Sequence, residues 1–363
     1  MLFRSKGNKG KAEEMLEIFR EEIRARIIAK EKLPKESNEL YAAFLERWLT
    51  VIRRDLKPTT FGNYQMMVNN VVIPYFKKKG IKTQALLPED ITRFYSERLS
   101  EVKSTTVHKY HTLFSRSLAY AVELGLIEQS PMDKVKRPKA ERFVGKFLKE
   151  SEVKELFDIV SGHKLELGVI LGSYYGLRRS EVVGLRWESI DFERNTITIE
   201  HSVTVAEIDG KKQIFESDTV KTKSSYRTLP LVPQFRDKLL QMKEEQDYYR
   251  ELCGNAYNTA EGKYVYVDRL GNRIRPDYLT AEFPKFLEKH GFRRMRYHDL
   301  RHSCASLLLA NGITLKEIQE WLGHSHFAIT ANTYAHLDFS AKIAAANAMT
   351  WIKETSLGSG KTT

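Results

Sequence analysis

The residues of this 363-residue chain best equipped for chemistry lie near its C-terminus: His298-Asp299-Leu300-Arg301, then Leu322-Gly323-His324, then Tyr334 within Asn332-Thr333-Tyr334-Ala335-His336. Brought together, they would place two imidazoles, a guanidinium and a phenol around one phosphate. Arginine offers a phosphate a planar bidentate fork and a phenol oxygen is a nucleophile, so the set suits transfer of a phosphoryl group to tyrosine. On a nucleic-acid backbone that transfer is strand breakage.

Two further stretches could complete such a site. Gly176-Leu177-Arg178-Arg179-Ser180-Glu181 closes an apolar helix, with a glycine that permits a turn and a following helix expected to start at Ser180, its N-terminal amides favouring anions. Taken alone Arg178 reads as a surface or capping residue, and Glu181, one turn on, could orient it. Lys221-Thr222-Lys223-Ser224-Ser225-Tyr226-Arg227 falls between β-like segments. A lysine on a hairpin tip can reach into a groove and deliver a proton, although most exposed loop lysines do nothing. His298 and Arg301 fall one helical turn apart and can address one group. His298 and His302 also have the spacing of a zinc pair, but a metalloprotease glutamate is missing between them and Arg301 would repel the ion. His324 could simply cap the amphipathic helix of Ile313, Leu315, Ile318 and Leu322. With 17 tyrosines in the chain, Tyr334 means little by itself.

Composition agrees with an anionic partner. Lys and Arg number 59 against 47 Asp and Glu, a formal net charge of +12, which attracts phosphate backbones non-specifically, as many basic proteins do. The two cysteines, Cys253 and Cys304, lack the spacing of a disulfide framework or zinc site, which favours a reducing compartment. No run approaches eighteen apolar residues and the basic start has no apolar core, so neither a membrane span nor a signal peptide is expected.

The elements that must position these residues follow from periodicity. Residues 12–32 read as a solvated, charged helix after a short basic leader. From 38 to 129 the pattern is helical, with Leu40, Phe44 and Trp48, then Tyr64, Met67, Val68, Val71 and Val72 at core spacing. Further helices are expected at 91–99 and 104–124, with Pro58, Pro74, Pro88 and Gly125 as punctuation dividing the block into four or five helices. Between 130 and 149 lies a basic run including Lys134, Lys136, Arg137, Lys139, Arg142 and Lys146, read as a linker that is either solvated or laid along DNA. Beyond it, helices are expected at 150–160 and 165–175. Strands follow at 195–205, 213–220 and 225–230, with Asp209-Gly210 as a hairpin turn, then helices at 233–247 and from 276 onward.

Taken in order, these motifs resemble the catalytic domain of the tyrosine recombinases, the phage integrase family, over residues 147–337. The resemblance rests on Gly176 to Glu181, Lys221-Thr222, His298 to His302, Leu322-Gly323-His324 and Thr333-Tyr334. It implies a multidomain α and α+β fold: a helical core-binding domain followed by a mostly helical catalytic domain with a small antiparallel β-sheet. The expected divisions are a charged leader at 1–36, left from an arm-binding domain, a SAM-like DNA-binding domain at 37–130, a basic linker at 131–149, the catalytic domain at 150–338, and a C-terminal helix and tail at 339–363. That last helix would join neighbouring protomers or fold back on its own domain.

The resemblance also implies roles. Tyr334 attacks the phosphodiester, Arg178 and Arg301 clamp its oxygens, His324 donates a hydrogen bond, Lys221 or Lys223 protonates the leaving 5′ oxygen, and His298 helps deprotonate or position the phenol. Glu181 and Asp299 support them, while Lys134, Lys136, Arg137, Lys139 and Lys223 contact DNA. Because the bond energy is kept in the phosphotyrosine, no cofactor or metal ion is expected. The implied partners are double-stranded attachment sites, three further copies of the chain in a tetramer, a directionality factor and a host DNA-bending protein, all in the bacterial cytoplasm. A type IB topoisomerase and a catalytically vestigial DNA-binding protein are the alternatives.

Overall fold

A computed structural model describes residues 38–139, 147–218 and 226–334, with the backbone alone at 329 and 332–334. The expected leader helix, the C-terminal helix, Arg142, Lys146, Lys221 and Lys223 lie outside the described residues. The chain divides into two compact units, one of residues up to Arg142 together with Glu207–Lys211, the other of Phe143–Ala206 and the residues from Lys212 on.

The first unit is helical: α1 (Tyr41–Ile52), α2 (Pro58–Met67), α3 (Ile73–Lys79), α4 (Pro88–Leu99) and α5 (Ser104–Glu123). In α1, Tyr41, Phe44, Leu45, Trp48, Leu49 and Ile52 form a single buried stripe, the spacing that turns a helix into a core element. Leu40, expected to share that stripe, precedes the helix and stays exposed. The Phe76, Phe94 and Phe114 rings interlock with Tyr41, Phe94 meeting Phe114 edge-on at 5.3 Å and Tyr41 meeting Phe76 edge-on at 5.1 Å. The Tyr41 hydroxyl shares a hydrogen bond of 2.9 Å with Ser117 Oγ, which satisfies a polar atom at the centre of that core.

Pro58 and Pro88 stand in the first turns of α2 and α4, where a missing N–H breaks no helical bond. Pro74 does not divide the helix as expected. A π turn at Val68–Val72 runs directly into α3, and such widening accommodates a proline that can give no N–H to the preceding turn. After α5, Met132 and Val135 are buried against this unit, and His108 Nε2 lies 2.6 Å from the Pro138 carbonyl. Anchored so, the segment turns Lys134, Lys136, Arg137 and Lys139 outward to solvent.

The second unit opens with α6 (Glu150–Val160), α7 (Glu166–Ser173) and the short α8 (Arg179–Val182), which starts one residue before the expected Ser180. Strands β1 (Ile190–Asp191), β2 (Thr196–Ile199) and β5 (Arg227–Pro230) make an antiparallel sheet in the order β1-β2-β5, with Ile197 opposite both Ile190 and Leu229. Strands β3 (Ser202–Ile208) and β4 (Lys211–Ser217) form a separate hairpin. Its turn is Asp209-Gly210, with φ of 53° and 72°, the pair of positive angles that matches the twist of two antiparallel strands.

The single strand expected over 195–205 is therefore two strands in two sheets. The break falls at His201, which is buried and hydrogen-bonded through Nδ1 to Asp218 and through Nε2 to Tyr264 and Arg186, so the backbone leaves the first sheet to seat the imidazole. Helices α9 (Pro233–Cys253), α10 (Pro276–Lys289), α11 (Asp299–Ala310), α12 (Leu315–Leu322) and α13 (Phe327–Tyr334) complete the unit. α11 lies close along α7, where a Cβ on Gly172 would come within 3.2 Å of Leu300 and of the Tyr297 hydroxyl. Among the described residues no helix is long and apolar enough to cross a membrane.

Candidate active site

The site is organised by the turn that ends α12. Thr314 starts that helix by accepting a hydrogen bond from the Glu317 amide while Glu317 bonds back to the Thr314 amide. Gly323 ends it in the left-handed conformation, φ 69°. The last carbonyls of a helix have no partner within it and carry its negative dipole end, so they attract cations. Two arginines from distant parts of the chain use them. Arg301 Nη2 donates to the Leu322 carbonyl at 2.7 Å and its Nη1 to the Gly176 carbonyl at 2.5 Å, while Arg178 Nη2 donates to the Gly323 carbonyl at 2.9 Å.

Gly176 makes this approach possible. It has φ +65°, and a Cβ there would lie 2.4 Å from Leu322 Cδ2 and 3.1 Å from Cys304 Sγ. Gly176→Ala should therefore destabilise the fold by about 3 kcal/mol, from backbone strain plus overpacking. A denaturant titration checks this: the midpoint should fall, and an unchanged midpoint would mean the turn relaxes freely.

Arg178 precedes α8 and is tied to Glu181. The carboxylate accepts the Arg178 backbone N–H at 3.0 Å on Oε2 and Nη1 at 2.6 Å on Oε1. Burial of Glu181 to 3 % exposure would raise its pKa, but the charges of Arg227, Arg178 and Arg301 outweigh this and hold it at about 2. Arg178 keeps a third of its side chain exposed, whereas Arg301 is 2 % exposed.

His324 follows the α12 turn, its Nδ1 2.8 Å from Thr330 Oγ1 of α13. When the threonine hydroxyl donates to Nδ1, Nε2 carries the ring proton and is a hydrogen-bond donor. Desolvation and the charges of Arg301 and Arg178 push its pKa down to about 3, so the imidazole is neutral at pH 7. His298 stands before α11, its ring edge-to-face with His302 at 5.2 Å. It keeps a solvent-facing surface, yet desolvation, His302 and Arg301 lower its pKa to about 4. A phosphate brought among these cations would work in the opposite direction and raise both values.

Asp299 accepts the Arg296 backbone N–H at 2.9 Å and the Arg296 guanidinium at 2.6 Å, which fixes the start of α11, and its charge opposes the lowering of the His298 pKa. The structure thus brings together Arg178, Glu181, Arg301 and His324, with the charge of Arg301 felt at His298. For Tyr334 it gives a backbone position, as the last residue of α13, one turn beyond Thr330. The sequence reading missed Arg227, whose Nη2 donates to Glu181 Oε2 at 2.8 Å from the first position of β5. Its signal was the alternation of buried Arg227, Leu229 and Leu231, in which a charged residue takes an inward place.

Comparison with known proteins places the chain. Residues 146–341 match the model of the phage integrase family, and residues 40–99 match that of the phage integrase N-terminal SAM-like domain. The chain belongs to the phage integrase family: it is a tyrosine recombinase, a site-specific DNA recombinase. A XerC-like tyrosine recombinase of Caldanaerobacter subterraneus subsp. tengcongensis is 30% identical over 310 residues, 81% of this chain and 78% of that protein. The ICEBs1 integrase of Bacillus subtilis is 26% identical over 314 residues, 85% of this chain and 82% of its own. Among solved structures, the Tn1549 transposon integrase in complex with a circular intermediate DNA superposes with a TM-score of 0.66 at 16% identity, over 84% of this chain and 99% of that one, which shows the shared fold.

Proposed function

We propose that this recombinase is the integrase of a phage or conjugative element, joining and separating two double-stranded attachment sites through a 3′-phosphotyrosyl intermediate. The observation that carries the reading is the convergence of Arg178 and Arg301 on the Leu322-Gly323 turn beside His324. That arrangement concentrates cationic and neutral donors where an attacked phosphate gains charge. The names of two relatives, an ICEBs1 integrase and a prophage ps2 probable integrase, favour a mobile element over chromosome maintenance.

In this mechanism the Tyr334 oxygen attacks phosphorus as its proton passes to the neutral His298 imidazole. Arg178, Arg301 and His324 hold the non-bridging oxygens. The bond from phosphorus to the 5′ oxygen breaks, and that oxygen takes a proton from Lys221, or from Lys223 two residues on. Attack by a 5′ hydroxyl of the partner duplex reverses the steps and joins the strands. Residues 37–130 and 150–338 grip the duplex from separate domains, with Lys134, Lys136, Arg137 and Lys139 of the linker on the phosphates. Four protomers act on two sites in the cytoplasm, assisted by a directionality factor and a host DNA-bending protein.

A plasmid carrying the gene with its flanking DNA, introduced into a recipient strain, tests this. Sequencing of the new junctions should show one defined crossover shared by donor and target. Relaxation of supercoils without new junctions would favour a type IB topoisomerase instead, and neither outcome a vestigial DNA-binding protein.

A further inference from the structure

The buried guanidinium of Arg227 stands apart from the groups expected to touch DNA. It is 7 % exposed, at the head of β5, with Ile199 opposite it in the sheet, so strand pairing fixes its backbone. Its partner is Glu181, whose two oxygens are divided: Oε1 receives Arg178 Nη1 at 2.6 Å, and Oε2 receives Arg227 Nη2 at 2.8 Å together with the Arg178 backbone N–H at 3.0 Å. We propose that Arg227 is a positioning residue for strand cleavage, which locks Glu181 in rotation and leaves Arg178 both fixed and cationic toward the scissile phosphate. This rests on the reading of Arg178 as a phosphate-binding group.

Two physical effects support the assignment. With Oε2 held from β5, the carboxylate cannot turn about its axis, so Oε1 stays aimed at Arg178 and the second guanidinium nitrogen stays on the Gly323 carbonyl. Charge gives the second: Arg227 attracts the same carboxylate, so Arg178, the partly exposed partner, shares Glu181 with a second guanidinium rather than holding it alone. A buried ion pair is weak support for stability, since desolvation offsets much of the attraction. Its place behind the phosphate-facing arginine supplies a different reason for it.

The charged groups facing Glu181 are Arg178 on its own turn, Arg227 from β5 and Arg301 from α11, and the charge of Arg227 also reaches His324. Removing Arg227 takes away the strongest attraction opposing burial, so the Glu181 pKa should rise.

Single-turnover cleavage of a nicked suicide substrate from pH 5.5 to 8.5, with gel-shift affinity beside it, tests the proposal on the full chain. Arg227→Met should cleave on the order of a hundredfold more slowly at pH 7 and lose further activity toward low pH, while Arg227→Lys recovers most of the rate and the native profile. The double variant Glu181→Gln with Arg227→Met removes both buried charges. It should regain thermal stability but not cleavage, because Arg178 is no longer held. Recovery of cleavage along with stability would overturn the proposal, making the pair merely structural. A native rate and pH profile in Arg227→Met would do the same. If Arg178→Lys cleaves as fast as the native chain, the reading of Arg178 fails first, independently of Arg227.

Discussion

Tyr334→Phe should abolish covalent attachment to DNA while leaving binding in place. The change removes one oxygen and keeps the ring, so packing and the DNA-facing charges are those of the native chain. On a suicide substrate whose nick lets the 5′ fragment diffuse away, the native protein should accumulate an adduct that survives denaturant, and the variant none. A tyrosine hydroxyl with an ordinary pKa near 10 is a weak nucleophile at neutral pH, so its position must supply the reactivity. The fold provides the means. Thr330, buried in α13, bonds His324, and the α13 backbone reaches Tyr334 one turn later, so the helix bearing the phenol is fastened to the donor cluster by a 2.8 Å contact. An undiminished adduct in the variant would move the nucleophile to another of the chain's tyrosines.

Local features of this chain could be read from its sequence because their causes are local. The stripe of Phe44 and Trp48, the prolines that open α2 and α4, and the Asp209-Gly210 turn each follow from periodicity or from backbone angles that few residues adopt. The shape of the site was not readable in that way. Arg178 and the Gly323 carbonyl are 145 residues apart, and their bond exists only because α12 ends in a left-handed glycine and the chain beyond α7 turns at a second one, Gly176. The motif order identified which residues to expect there; it did not say that helix-end carbonyls would hold both arginines. Arg227 was hidden for a related reason, since a charged residue at the start of a short strand looks solvent-facing until the sheet closes over Glu181. The strand break at His201 likewise depends on Asp218, Arg186 and Tyr264, none of which is its neighbour in sequence.

Lysine in place of Arg178 or Arg301 should slow cleavage by a factor on the order of a hundred or more while gel-shift affinity changes little. Lysine keeps the charge, so long-range attraction to the duplex persists, but one ammonium cannot reproduce a fork that bonds the protein and the phosphate together. The two sites should differ in stability. Arg301 bridges the carbonyls of Gly176 and Leu322 inside the protein, and an ammonium reaching one abandons the other, a buried acceptor whose loss of partner costs roughly 1–3 kcal/mol. Arg178 is a third exposed, and water can reach the Gly323 side of the turn when it is replaced, so Arg178→Lys should melt close to the native temperature. Cleavage, affinity and melting measured on both variants therefore separate the roles. A large cleavage defect at constant affinity in the thermally intact Arg178→Lys places its guanidinium on the transition state. Affinity and cleavage falling in proportion would make both arginines ordinary phosphate anchors, and the chemistry would then need another source of charge.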